Sequence, residues 1–185
     1  LTNRCVVLGQ GTVVFNGITS EAISNYLQRE AGKEFYFETT PRPGVPTITK
    51  ISLSTSGRGN IQEHGKPFLV SLEIQFHEMV KGLALSFQIF DKYDNAIIHS
   101  WVYDKDIPLC TGPGVNRIHC TIPKLRLYMG NYYFVVHFAN YITREKYQLI
   151  EKACHFEVDM FGIERIHRWM PDACRYIEDA VWSCD

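Results

Sequence analysis

From residue 48 onward apolar and polar positions alternate. Phe68, Val70, Leu72, Ile74 and Phe76 stand at every second position, with Leu69, Ser71, Glu73 and Gln75 between them. Leu83, Leu85, Phe87 and Ile89 repeat the pattern, with Ala84, Ser86, Gln88 and Phe90 between. A period of two places each set on one face of a pleated strand. The same reading predicts strands over 48–53, over 96–103, through Ile118, Cys120 and Ile122, through Tyr132, Phe134, Val136 and Phe138, and around Phe156 and Val158. Asp91-Lys92-Tyr93-Asp94-Asn95 joins two of them as a hairpin, and Thr111-Gly112-Pro113-Gly114 marks a further turn. Several short strands punctuated in this way, one face apolar and one mixed, predict an all-β fold: an antiparallel β-sandwich, jelly-roll-like, with an immunoglobulin-like arrangement as the alternative. No helix-period segment separates the strands, which argues against a parallel α/β enzyme fold.

The first 32 residues follow another rule. Val6 to Leu8 and Val13 to Phe15 flank Gly9-Gln10-Gly11 as a hairpin. Thr19 or Ser20 then caps a predicted helix over 21–29, with Ala22, Ile23, Tyr26 and Leu27 as its apolar stripe and Gly32 as its stop. Pro41, Pro43 and Pro46 follow closely and suit neither a ladder nor a helix. The chain therefore divides into a hairpin-helix spur over 1–32, a proline-rich linker over 33–47 and a sandwich domain over 48–185. It opens on Leu1 rather than Met, so it reads as a piece of a longer protein. In the tail over 162–185, Ile166, Trp169, Met170, Cys174, Ile177, Val181 and Trp182 are apolar, but Pro171 interrupts any single helix. That tail can pack on its own sandwich or on a partner's.

Charge and composition remove several functions. Nineteen basic and twenty acidic residues leave no electrostatic footprint for nucleic acid or an anionic membrane. No apolar run approaches the roughly 18 residues of a membrane span. The six cysteines include no C-x-x-C pair and read as free thiols, with no metal site. The phosphate-loop pattern fails in 59–67, where Asn60 replaces a glycine and Pro67 the hydroxyl. Asp91, Asp94 and Asn95 read as turn chemistry rather than a calcium loop. No nucleophile elbow or metalloprotease motif occurs. These absences point away from an enzyme.

The mixed strand face remains. With 83–90, 96–103 and 132–139 as neighbours, it carries Ser86, Gln88 and Phe90, then His99, Trp101 and Tyr103, then Tyr133, Val135 and His137. Ile97 and Ile98 leave open which side of strand 96–103 points outward. A sheet face of this composition suits a sugar: aromatic rings offer flat apolar area to a pyranose C–H face, and amide and imidazole groups supply directed hydrogen bonds. Trp101 and Tyr133 are the expected stacking platforms, with Ser86, Gln88, His99 and His137 as hydrogen-bonding groups. Arg117 and His119 are further candidates, suited to an acidic or phosphorylated sugar cap. Two other classes compete. A structural dimerisation module would cover the same face, and a glycan hydrolase needs two facing carboxylates, whereas Glu73 alone stands mid-strand.

Residues 5–17, CVVLGQGTVVFNG, followed by Ser20-Glu21-Ala22-Ile23 and Tyr26, resemble the end of an ABC-transporter ATPase domain. Four later stretches are similar to the C-terminal domain of Wzt, the ATP-binding subunit of O-antigen exporters: TITKISL at 47–53, FLVSLEI at 68–74, FQIFD with NAII at 87–98, and LYMGNYYFV at 127–135. Asp94-Asn95 departs from the glycine that relatives often place in that hairpin, and the tail beyond Gly162 matches no family pattern. The resemblance implies a non-catalytic β-sandwich that binds the capped non-reducing end of a finished O-polysaccharide and couples its recognition to export. It also implies a homodimer formed by C-terminal strand exchange, the exporter's membrane subunit as a partner, and a peripheral position on the cytoplasmic face of the bacterial inner membrane. No cofactor is expected within these residues, since ATP and Mg²⁺ would belong to the ATPase domain.

Overall fold

The computed structural model describes residues 4–9, 12–19, 22, 36–164, 166 and 168–184. β1 (Cys5–Gly9) and β2 (Thr12–Gly17) form the expected hairpin, pairing from Cys5↔Gly17 to Gly9↔Thr12. The helix predicted over 21–29 lies outside the described residues, apart from Ala22.

Two sheets follow. β3 (Tyr36–Glu38), β4 (Thr47–Ser54), β6 (Phe68–Phe76) and β9 (Gly114–Ile122) form one, in the order β3-β4-β6-β9. β5 (Ile61–Glu63), β7 (Leu83–Asp91), β8 (Ala96–Tyr103), β10 (Gly130–Asn140) and β11 (Lys146–Asp159) form the other, in the order β5-β11-β10-β7-β8. All pairings are antiparallel except β5 with β11. The expected sandwich is therefore present. One detail differs: β3 lies inside the segment read as linker and pairs with β4, because the prolines begin only at Pro41.

The period-two pattern has a direct physical result. Along β6 and β7 every second side chain is buried, and these inward residues meet Phe134, Val136 and Phe138 of β10. Phe134 centres an aromatic cluster, with ring centroids 5.2 Å from Phe87, 5.8 Å from Phe156 and 6.1 Å from Phe68.

The two long sides of the sandwich are unlike. On one, β11 bends across the gap. Its register against β10 slips twice between Tyr132 and Val136, where Lys152 and Cys154 take positive φ, as β-bulges do when they sharpen a strand's twist. Gln148 then reaches β4 of the other sheet, accepting from the Ile48 N–H at 2.8 Å and donating to its carbonyl at 3.3 Å. This side-chain amide stands in for a strand neighbour. On the other side, β8 and β9 are edge strands that do not pair with each other.

The tail runs back along its own chain. Tyr128 N–H donates to the Arg175 carbonyl at 3.0 Å, Ile177 N–H donates to that of Arg126 at 3.0 Å, and Leu127 bridges Tyr176. Its apolar outer side chains are left bare, with Ile166, Val181 and Trp182 at 92% exposure or more.

Candidate functional site

The outer face of the five-stranded sheet is built by register. Ser86 on β7 stands opposite Trp101 on β8 and His137 on β10. One step along, Gln88 stands between His99 and Val135, and in the other direction Ala84 stands between Tyr103 and Ala139. Because alternate residues of β7 point inward at Leu85 and Phe87, the ambiguity of strand 96–103 is resolved: His99, Trp101 and Tyr103 face out. Six of the eight candidate residues, Ser86, Gln88, His99, Trp101, Tyr133 and His137, thus share one face.

Size differences along this face create a groove of ≈ 470 Å³. The outward residues that the central strand contributes are the small Ala84 and Ser86, while His99, Trp101 and Tyr103 rise on one side and His137 on the other. Trp101 is 61% exposed, and the His99 ring packs on its indole at 5.1 Å with a 61° interplanar angle. The result is a shallow trough with one flat aromatic wall, imidazoles on both sides and a hydroxyl on the floor. Gln88 stands just beyond its lining.

Tyr133 has another environment. Only 7% of it is exposed, because the bulged strand β11 brings Lys152 and His155 over its ring while Phe90 stacks on it at 5.5 Å. Its hydroxyl donates to Asp94 Oδ1 at 2.6 Å, and Asp94 also pairs with Lys152 at 3.3 Å. Burial, together with the Asp94 bond, pushes the Tyr133 phenol up to about 12. The Tyr133 hydroxyl and the Lys152 ammonium hold Asp94 below the usual carboxylate range. Tyr133 is a covered member of this sheet face and presents no free platform.

Arg117 and His119 lie on β9, on the outer surface of the opposite sheet. Arg117 Nε pairs with Glu73 Oε1 at 3.0 Å, and His119 Nδ1 lies 2.9 Å from Ser71 Oγ. His119 still comes near the groove's edge, because it and Trp101 both line a cleft of ≈ 280 Å³ between β8 and β9. Arg117 lines neither this cleft nor the groove.

Tyr103 also lines the groove, a role the alternation could show only as an outward position. Among the described residues no group of three or more His, Cys, Asp or Glu stands close enough to hold a metal ion, and no helix is long and apolar enough to cross a membrane. All six cysteines are free.

The family described as the Wzt C-terminal domain matches residues 44–167. Among solved structures, the crystal structure of the C-terminal domain of Wzt superposes with a TM-score of 0.59 at 8% identity, covering 82% of this chain and 88% of that one. A Niemann-Pick type C2 protein from Japanese carpenter ant reaches a TM-score of 0.47 at 12% identity, over 67% of this chain and 98% of its own. No curated protein matches the chain.

Proposed function

The chain belongs to the Wzt C-terminal domain family, which is linked to the polysaccharide ABC exporter, and from that premise we propose that it binds the capped non-reducing end of an O-antigen polysaccharide without chemically altering it. The observation that supports this reading is the open groove beside Trp101. An exposed indole offers apolar area to the C–H face of a terminal pyranose, and Ser86, His99 and His137 surround it with hydrogen-bonding groups, with Gln88 one step along the sheet. Each such bond adds about 1 kcal/mol net, so the affinity is modest and suits a glycan that must later be released. His119, at the cleft edge next to Trp101, is the candidate for an acidic cap. Arg117 is left out because it is paired on the opposite sheet.

In this reading the domain tethers the finished glycan beside the exporter's membrane subunit on the cytoplasmic side and couples its recognition to export. A homodimer completes the picture, with a second copy covering the bare side chains of Ile166, Val181 and Trp182. The same exposed tail favours a second reading, a dimerisation module without a ligand of its own.

Calorimetric titration with the source strain's O-polysaccharide, intact and with its terminal residue removed, separates the two. The glycan reading expects heat from the intact polymer only, lost in Trp101→Ala. Equal heats for both polymers would remove end recognition, and no heat from either would leave the dimerisation module.

A further inference from the structure

The aromatic surface continues past the groove. Trp101 and Tyr103 lie two residues apart on one face of β8, about 7 Å along the strand. Tyr103 packs edge-on against Tyr141, with centroids 5.4 Å apart and an interplanar angle of 89°. Tyr141 is 42% exposed although it follows directly on a core strand. It lines a second cavity of ≈ 360 Å³, with Ile142, Lys81, Lys105 and Asp104 among its neighbours.

The turn that presents Tyr141 is held firmly. Asn140 is buried and accepts from the N–H groups of Ile142 and Thr143 at 2.9 and 3.0 Å, while its amide donates to the Lys81 carbonyl at 2.8 Å. The Tyr141 N–H donates to the Gly82 carbonyl at 2.7 Å. Burial, and after it the negative charge of the nearby Asp104 carboxylate, raises the Tyr141 phenol above its usual range. A partly exposed ring that packs on Tyr103 and is carried on a turn held by a buried amide loses little entropy on binding, which is the property of a preorganised contact surface.

We propose that Trp101, Tyr103 and Tyr141 form a ladder for consecutive sugar units of a linear polysaccharide, so that the protein reads a terminal stretch of chain rather than one end residue. This rests on the glycan reading above and extends it. The ligand class is a chain whose units each present an open C–H face. Tyr103 and Tyr141 meet edge to face, so the chain turns as it passes from the groove to the second cavity. Lys81 beside that cavity supplies a donor for ring hydroxyls, while Lys105 stands over the Tyr103 ring, its Nζ 5.3 Å from the centroid, so that a sugar meets the side of Tyr103 that Lys105 leaves open.

The test is calorimetry on the full chain with a nested series of oligosaccharides cut from the source strain's O-polysaccharide, each keeping the intact non-reducing end. Affinity should rise about tenfold from the terminal monosaccharide to the trisaccharide, equivalent to about 1.4 kcal/mol. Tyr141→Ala should remove the gain from the second to the third sugar and leave that from the first to the second, and Tyr141→Phe should keep both. Equal affinity for all lengths in the unmodified chain overturns the ladder and leaves the end-recognition reading standing. An unchanged ratio in Tyr141→Ala does the same. Absence of binding at every length removes both.

Discussion

Arg175 in the tail donates from Nε to Asp91 Oδ2 at 2.7 Å, across 84 positions of sequence. Asp91 closes the β7–β8 hairpin. Its buried carboxylate also accepts from the N–H groups of Tyr93 and Asn95, both at 2.9 Å, and from the Asn95 side-chain amide at 3.2 Å. One carboxylate thus ties the turn between β7 and β8, at the end of β7 away from the groove lining, to the C-terminal tail.

This pair makes stability depend on pH. Burial alone would raise the Asp91 carboxyl, but the hydrogen bonds from Asn95, Arg175 and Tyr93 outweigh it and hold the group below its ordinary value of 3.8. The folded state therefore takes up a proton less readily than the unfolded one. The contribution is complete above the ordinary value and is lost as pH falls through the lower folded value. Arg175→Ala should cost about 2 kcal/mol near neutral pH, since it leaves a buried charge short of a partner. Calorimetric melts of the unmodified chain and Arg175→Ala should converge as the pH drops below the ordinary value. A constant gap between them down to the most acidic melts would show that the pair does not act through the carboxylate's charge.

Trp101 and Tyr133 share a sheet face and should respond oppositely. Trp101→Ala removes a largely exposed side chain and should change stability by no more than about 0.5 kcal/mol while weakening glycan binding. Tyr133→Ala removes a covered ring and should cost about 3 kcal/mol. Tyr133→Phe, which removes only the hydrogen bond to Asp94, should cost about 1 kcal/mol. Urea unfolding beside calorimetric titration distinguishes the two roles, and a Trp101→Ala chain as unstable as Tyr133→Ala would contradict the assignment.

In the core, Phe134→Ala should cost about 4 kcal/mol, because the ring lies within 6.1 Å of the centroids of Phe68, Phe87 and Phe156 and none of these can close the gap alone. Phe134→Leu should recover part of that loss. Equal losses in urea for the two substitutions would contradict this, since they would mean that apolar volume alone restores nothing, and full recovery in Phe134→Leu would mean that the aromatic packing adds nothing beyond that volume.

Gly82 should tolerate no side chain. Its φ of +79° is strained for any L residue, and an added Cβ would stand 2.6 Å from Ile142 Cδ1 and 2.8 Å from Asn140 Oδ1. Gly82→Ala should therefore cost about 2 kcal/mol and loosen the turn that carries Tyr141. Thermal melts would read the first effect. Hydrogen exchange at the amides of Ile142 and Thr143 would read the second, with protection falling in the variant.

The face and the contents of the groove were largely legible from alternation. Once Leu83 to Phe90 reads as a strand with one core side, Ser86 and Gln88 must point the other way, and His137 follows from the alternation of its own strand, whereas Ile97 and Ile98 left the side of His99 and Trp101 open until the register of β8 against β7 decided it. The coverage of Tyr133 was not legible. It depends on two bulges in β11 that shift Lys152 and His155 by one position each, and the residues at those points carry no glycine or other turn signal to announce them. Tyr141 was equally silent, because its placement comes from the buried hydrogen bonds of Asn140 and not from any period in the chain.

Alternation of apolar and polar residues determined the strands, the two faces of each and the sandwich class, since burial of every second side chain is a local property of a pleated strand. The tertiary structure decided which outward residues lie beside one another and which remain open to solvent. That depends on strand order, register and the bends of a distant strand, where the free energy comes from contacts between residues far apart in the chain and no local pattern records it.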